Sequence, residues 1–200
     1  MGSTGITPDP SHLKLTGQKV ELRVLRDFAL DPTGPFYQFV LTYLAASAGL
    51  TPVYDAEHYP TFMEGIAGIF PGATAPGARA DLSESVKQVR AGALPRLQAQ
   101  QSLCCMLANT AFESIDEKDA GKLKGNPVFE FFRHVRNAAS HRNRWHFHSH
   151  APVHPAAWNG IVLDASQKGA SNPLHGKTCF YGNLQPADLL YLLRDVERLL

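Results

Sequence analysis

The sequence predicts a mainly α fold, a helical bundle with a small β-hairpin insertion before the C-terminal helix. Three observations predict it. Apolar residues recur at helical spacing over several long stretches, and proline opens three of the candidate helices, at Pro35, Pro127 and Pro186. Runs of strand-favouring residues bounded by glycine are confined to one region late in the chain.

Taken in order, the residues up to about Ser11 look loose, and Leu13 to Leu25 reads equally as strand or helix. Pro35 opens a helix to Ala48, closed by Gly49 and Pro52. A second helix covers Tyr59 to Phe70, ahead of the loop PGATAPGARA. From Asp81 the pattern is helical again until Gly92 and Pro95 break or kink it. Leu94 to Ile115 is the longest candidate. Leu94, Leu97, Cys104, Cys105, Ala108, Phe112 and Ile115 share one face, and Leu103, Met106 and Leu107 cover the other, so its middle is expected to be buried all round. Cys104 and Cys105 then read as small core residues. Asn126 is a capping side chain followed by Pro127 in the first turn of a helix that carries VFEFFRHVRNAASHR. Beyond a Pro-rich loop, GIVLDASQKG from Gly160 and GKTCFYG from Gly176 look like a β-hairpin or two short strands. Pro186 opens the last helix, with an apolar face of Leu189, Leu192, Leu193, Val196 and Leu200 and with Asp188 favourably placed in the first turn.

Two hundred residues at 44% apolar composition can bury one sizeable core, so a single domain over residues 1–200 is expected, with about residues 1–11 flexible. A charged fraction of 18% argues against disorder. Three cysteines make no disulfide framework and suit a reducing compartment. The longest apolar run, Phe39 to Leu50, is broken by Thr42 and Ser47 and is too short to span a bilayer. MGSTGITPDP lacks the order of a signal peptide, and Ile6 stands where a myristoylation signal wants Ser or Thr. The expectation is a cytoplasmic protein with no membrane association.

The formal net charge is only +1, so any case for nucleic-acid binding must be local. FFRHVRNAASHRNRWHFHSH, Phe131 to His150, supplies one: Arg133, Arg136, Arg142 and Arg144 stand with five of the nine histidines and no carboxylate. On a helical wheel advancing about 100° per residue, Val128, Phe131, Phe132, Val135, Ala138 and Ala139 form a core stripe. Glu130, Arg133, His134, Arg136, Asn137, Ser140 and His141 fall opposite. Asn137 and His141, four apart, are stacked neighbours flanked by Arg136.

RNAASH, Arg136 to His141, resembles the R-N-x-x-x-H form of the R-x4-6-H motif of HEPN-domain proteins. The likeness covers about twenty residues, and the helix, small β element and GNLQPADLLYLL end are similar more loosely to one branch of that family. The resemblance implies a helical bundle and a metal-independent endoribonuclease, working as a homodimer and acting as a toxin or phage-defence effector. Arg136, Asn137 and His141 would be catalytic, and an antitoxin protein is a possible partner. The chemistry is coherent on its own terms. RNA carries its nucleophile, the 2′-hydroxyl, so cleavage needs proton transfer and charge stabilisation at phosphorus. Imidazole can fill either proton-transfer role, and a guanidinium can brace phosphate oxygens through two bonds. One histidine cannot easily be acid and base in one step, which a twofold pair of motif helices would resolve. Arg133, His134, Arg142, Arg144 and Trp145 are the expected RNA contacts, with Trp145 and Phe147 able to stack bases or to serve a lid or the core.

Two rivals stand beside this reading. His146, His148, His150 and His154 in HFHSHAPVH could put imidazoles on one side of an extended segment and hold Zn, Ni or Cu, making a metal-dependent hydrolase. Against it, no well-spaced Asp or Glu completes the set, and Pro152 and Pro155 make the segment loop-like. The other rival is a non-catalytic helical module that uses the Arg/His face for association. Neither a metal nor a cofactor is expected on the preferred reading, and Cys179 has no identifiable base to make it a nucleophile.

Overall fold

The computed structural model describes residues 30–66, 70–71, 79–80, 82–149, 154–164 and 167–200. The readings of the chain up to Ser11 and of Leu13 to Leu25 lie outside the described residues, as do most of the loop after Phe70, His150 and Pro152. The protein is mainly helical, with a small antiparallel hairpin before the C-terminal helix. The elements run α1 (Tyr37–Tyr54), α2 (Tyr59–Ile66), β1 (Phe70–Pro71), β2 (Arg79–Ala80), α3 (Leu82–Gln88), α4 (Arg96–Glu113), α5 (Glu117–Leu123), α6 (Pro127–Ser140), β3 (Ala156–Trp158), β4 (Ile161–Leu163) and α7 (Pro186–Glu197). No helix among the described residues is long and apolar enough to cross a membrane. The chain divides into two compact units: Val40–Leu103, and Cys104–Leu200 with the residues before Val40.

Within Val40–Leu103, α1 does not stop at Ala48 as its glycine and proline suggest but carries on through Gly49 and Pro52. Carbonyls at its end find a donor: Arg90 Nη1 bonds the oxygens of Val53 and Asp55, each at 3.3 Å. The Tyr54 hydroxyl donates to the Leu94 carbonyl at 2.7 Å. The expected break after α3 is present. A wide helical turn at Val89–Ala93 ends the helix, and Gly92 takes φ 101, a conformation few other residues adopt.

The second unit is built around α6. Asn126 Oδ1 accepts from the Val128 and Phe129 amides at 3.0 and 3.3 Å, the cap that its sequence predicts. Phe131, Phe132, Val135 and Ala138 are fully buried. Phe131 lies against Trp145 and Trp158, with ring centroids 6.0 Å apart in each case. In α7, Leu189, Leu192, Leu193 and Val196 are buried as expected, but Leu200 lies beyond the helix and is exposed. The Asp188 carboxylate accepts from the Gln185 amide at 2.7 Å and completes a capping box.

Two expectations are corrected here. In α4 the buried residues are Ala99 and one stripe, Cys104, Leu107, Ala108 and Ala111, at spacings of three and four. Leu97 and Met106 are 50% and 63% exposed, so the helix is amphipathic rather than buried all round. The hairpin pairs Ala156–Trp158 with Ile161–Leu163, joined at Asn159 and Gly160, whose φ of 46° and 81° suit the tight turn favoured by that dipeptide. GKTCFYG forms no strand. It contributes two isolated bridges, Arg144 with Thr178 and Phe180 with Leu184.

The first of those bridges belongs to a clamp. After α6 the chain reverses through Arg142 and Asn143, both left-handed at φ 58 and 62. Buried Asn143 donates from Nδ2 to the Phe180 carbonyl at 3.0 Å, and its Oδ1 accepts from the Phe180 amide at 2.7 Å. Its carbonyl accepts from the Cys179 amide at 2.9 Å. Trp145 continues the pairing with Lys177 and Gly176, and its Nε1 donates to Asn183 Oδ1 at 2.8 Å. Gly182 is required in the turn that follows, since a Cβ there would stand 2.2 Å from the Thr178 carbonyl oxygen.

Asn143→Ala removes two buried hydrogen bonds to the backbone of Phe180, which should destabilise the protein by about 3 kcal/mol. Chemical denaturation measures this. A loss below about 0.5 kcal/mol, the scale of an ordinary surface change, would show that the clamp is dispensable.

Candidate functional site

The site is set by where α6 ends and how the chain leaves it. His141 is not inside the helix but caps it, its amide bonded to the carbonyls of Asn137 at 3.0 Å and Ala138 at 3.1 Å. The reversal at Arg142 and Asn143 follows, and residues 145–148 then run without helix. Successive side chains of such a segment point to opposite sides. Trp145 and Phe147 go into the core, while His146 is half-buried and His148 exposed.

This alternation brings His146 and His148 beside His141. The His141 and His146 rings stack with centroids 3.8 Å apart and planes 17° apart. His148 stands edge-on to both, at 4.9 Å from His146 and 6.3 Å from His141. One ring nitrogen of each lies within 4.8 Å of the others. His175 approaches His146 at 5.3 Å, and its Nδ1 accepts from the Phe147 amide at 3.3 Å. The histidine loop expected as a set by itself is thereby divided. His154 lies elsewhere, near Gly125 and Glu130, and His150 is outside the described residues. Burial, and then the charges of His141, His148 and His175, lower the pKa of His146.

The basic residues are not all open charge. Glu130, placed by the helical wheel on the polar side, is 2% exposed. Burial pushes its carboxyl up, but bonds from the Gly125 amide at 3.0 Å and from Arg133 Nε at 2.7 Å outweigh it and hold the pKa below its ordinary value. Arg133 is therefore already paired. Arg136 forms an ion pair with Glu113 of α4, and its guanidinium lies 5.3 Å over the Phe112 ring, with Nε buried and unpartnered among the described residues. Asn137 is half-buried. Arg142 and Arg144 are exposed. Arg144 donates to the Gly176 carbonyl at 2.8 Å, and Arg142 makes no ion pair among the described residues.

Two expected RNA contacts are enclosed instead. Trp145 is a core residue, and His134 is 1% exposed, its ring 5.3 Å from Phe147. The wheel put His134 on the outer face because it sees only α6; the segment carrying Phe147 covers that side. Burial, then the neighbouring Arg133 charge, push the His134 pKa down to about 4. The cysteines are unsuited to nucleophilic work: burial pushes Cys105 up to about 11 and raises Cys179. A cavity of about 280 Å³ lined by Trp158, Tyr191, Arg194 and Asp195 is less apt for catalysis. Its two charges answer each other at 2.9 Å, and Trp158 Nε1 donates to Asp195 at 3.0 Å.

The arrangement offers three adjacent imidazoles with solvent access at the exposed end of α6, with two exposed guanidiniums, Arg142 and Arg144, between His141 and His146 in the chain. Such a set can transfer protons, hold a soft or borderline metal ion, or contact a phosphate chain. Comparison with protein-family models, with curated proteins and with solved structures finds no match.

The neutral burial of His134 has a consequence for stability. Its folded pKa lies below the ordinary 6.5, so between about pH 6.5 and 4 the unfolded chain binds a proton that the folded chain refuses. Stability should fall as pH is lowered through that window, by up to roughly 3 kcal/mol from this group. Denaturation of wild type and His134→Leu at pH 7 and pH 4 should show a shallower loss in the variant. Equal losses would remove His134 as the cause.

Proposed function

We propose that the protein is a metal-independent endoribonuclease, with His141 and His146 as the proton-transfer pair acting around the 2′-hydroxyl and the leaving oxygen. The observation that carries this reading is the 3.8 Å stack of the two rings at an open helix end. Two-metal enzymes that serve both oxygens of an in-line displacement space their ions about 3.5–4 Å apart. Two imidazoles at like spacing can each reach one of the two oxygens, one accepting a proton and the other donating one. Arg142 and Arg144 supply contacts to backbone phosphates on either side of the cut. Asn137, bonded through its carbonyl to the His141 amide, sets the position of that residue.

Arg136 reaches phosphate by exchanging the Glu113 carboxylate for a phosphate oxygen, one anion for another. Because the second imidazole stands in the same chain, cleavage does not need a twofold partner to provide it. A homodimer would add a second such site rather than complete the first. The resemblance to HEPN proteins extends the proposal to a toxin or phage-defence role held in check by an antitoxin.

Purified protein is incubated with a panel of RNAs in EDTA. The wild type should cut, leaving 2′,3′-cyclic phosphate ends, and His141→Ala and His146→Ala should each cut about a hundredfold more slowly or worse. Asn137→Ala keeps the carbonyl that holds the His141 amide and should cut at close to the wild-type rate. Arg136→Ala should lose about a hundredfold or more, the cost of one charge-stabilising contact, while Glu113→Gln, which releases Arg136, should retain cleavage. Equal cutting by wild type and His141→Ala, or none by either, would end the ribonuclease reading and favour a non-catalytic module.

A further inference from the structure

We propose that His141, His146 and His148 together bind one transition-metal ion of the Zn²⁺ class, and that the bound ion suppresses cleavage by occupying the proton-transfer pair. The binding half stands on geometry; the suppression half rests on the ribonuclease reading.

Three imidazoles and no carboxylate form a donor set suited to Zn²⁺, Co²⁺, Ni²⁺ or Cu²⁺ and poorly suited to Mg²⁺ or Ca²⁺, which take oxygen. A tetrahedral zinc site with Zn–N bonds of about 2.1 Å needs ligand nitrogens roughly 3.4 Å apart. Here they lie within 4.8 Å before any ion is present. Rotation of the exposed His141 and His148 rings about their side-chain bonds would close that gap.

The backbone holds the set in place. His146 and His148 share one side of an extended segment whose alternate residues, Trp145 and Phe147, are buried anchors. The His141 backbone is held at the cap of α6, its amide donating to the Asn137 and Ala138 carbonyls. His175 lies outside the set, its Nδ1 committed to the Phe147 amide, which leaves a fourth coordination position for water or a phosphate oxygen. The metal and the RNA reaction then compete for the same nitrogen lone pairs on His141 and His146. His148 belongs to the metal set but not to the proton-transfer pair, so it separates the two functions.

The test uses the full chain, freed of metal by EDTA and exchanged into chelator-free buffer. Calorimetric titration with Zn²⁺ should show one ion per chain, Co²⁺ should give the visible absorption of a tetrahedral complex, and Mg²⁺ should give neither. His148→Ala and His146→Ala should each weaken Zn²⁺ binding by about a hundredfold or more, a loss at least as large as changes in residues that merely support ligands. Stoichiometric Zn²⁺ should slow wild-type cleavage at least about tenfold, reversibly with EDTA, and His148→Ala should lose most of that inhibition relative to its own metal-free rate. Absence of Zn²⁺ binding, or binding undiminished in both variants, overturns the site. Histidine-dependent binding with cleavage unaffected overturns the suppression alone. Histidine-dependent binding by a protein that cuts no RNA under any condition leaves the metal site standing and removes the ribonuclease reading together with the suppression.

Discussion

The placement of His146 and His148 beside His141 depends on the buried pairing of Asn143 with the backbone of Phe180. Two hydrogen bonds from one amide side chain, 3.0 and 2.7 Å long, tie the chain leaving α6 to a segment 37 residues later. Removing a buried amide from water is costly unless both its ends are satisfied, and here both are. Asn also tolerates the left-handed backbone that the reversal requires. With the reversal fixed, the phase of the following segment is fixed too. Trp145 and Phe147 face the core, so His146 and His148 must face His141. A slip of one residue would exchange the aromatic and imidazole sides.

The same economy governs charge. The basic stretch after Phe131 has no acid of its own, yet its two helical arginines are both answered, Arg133 by Glu130 and Arg136 by Glu113. Glu130 is buried and bonded from two directions, so the Arg133 pair is a structural feature of the start of α6. The Arg136 pair is more exposed, its carboxylate partner standing largely in solvent, and an exposed pair contributes little to stability. That makes Arg136 exchangeable at small cost. Of the arginines in that stretch, Arg142 and Arg144, beyond the helix, are the exposed ones.

Local chemistry made much of this legible in advance. Asn126 with Pro127 marked the start of α6, Pro186 with Asp188 the start of α7, and the apolar stripes of both helices named most of their core residues, missing buried Phe129 and including half-buried Val128 and exposed Leu200. Gly92 marked its break for the same local reason. Asn159–Gly160 was an available hairpin signal that the more apolar runs around it obscured. What could not be read was partnership over distance. Nothing local says that Glu113 meets Arg136, that Phe147 covers His134, or that a non-glycine pair at 142–143 turns left-handed. Without that turn, the motif histidine and the His-x-His segment read as rival sites, one for proton transfer and one for metal. With it they are neighbours in a single cluster.

That clustering is the central claim, and it can be measured without RNA or metal. Nuclear Overhauser spectra of metal-free protein, with histidine rings assigned through single substitutions, report ring protons within about 5 Å of one another, the range over which stacked aromatic contacts form. The account predicts cross-peaks between His141 and His146 and between His146 and His148, all lost in Asn143→Ala. A folded wild-type protein with no His141–His146 cross-peak would contradict it.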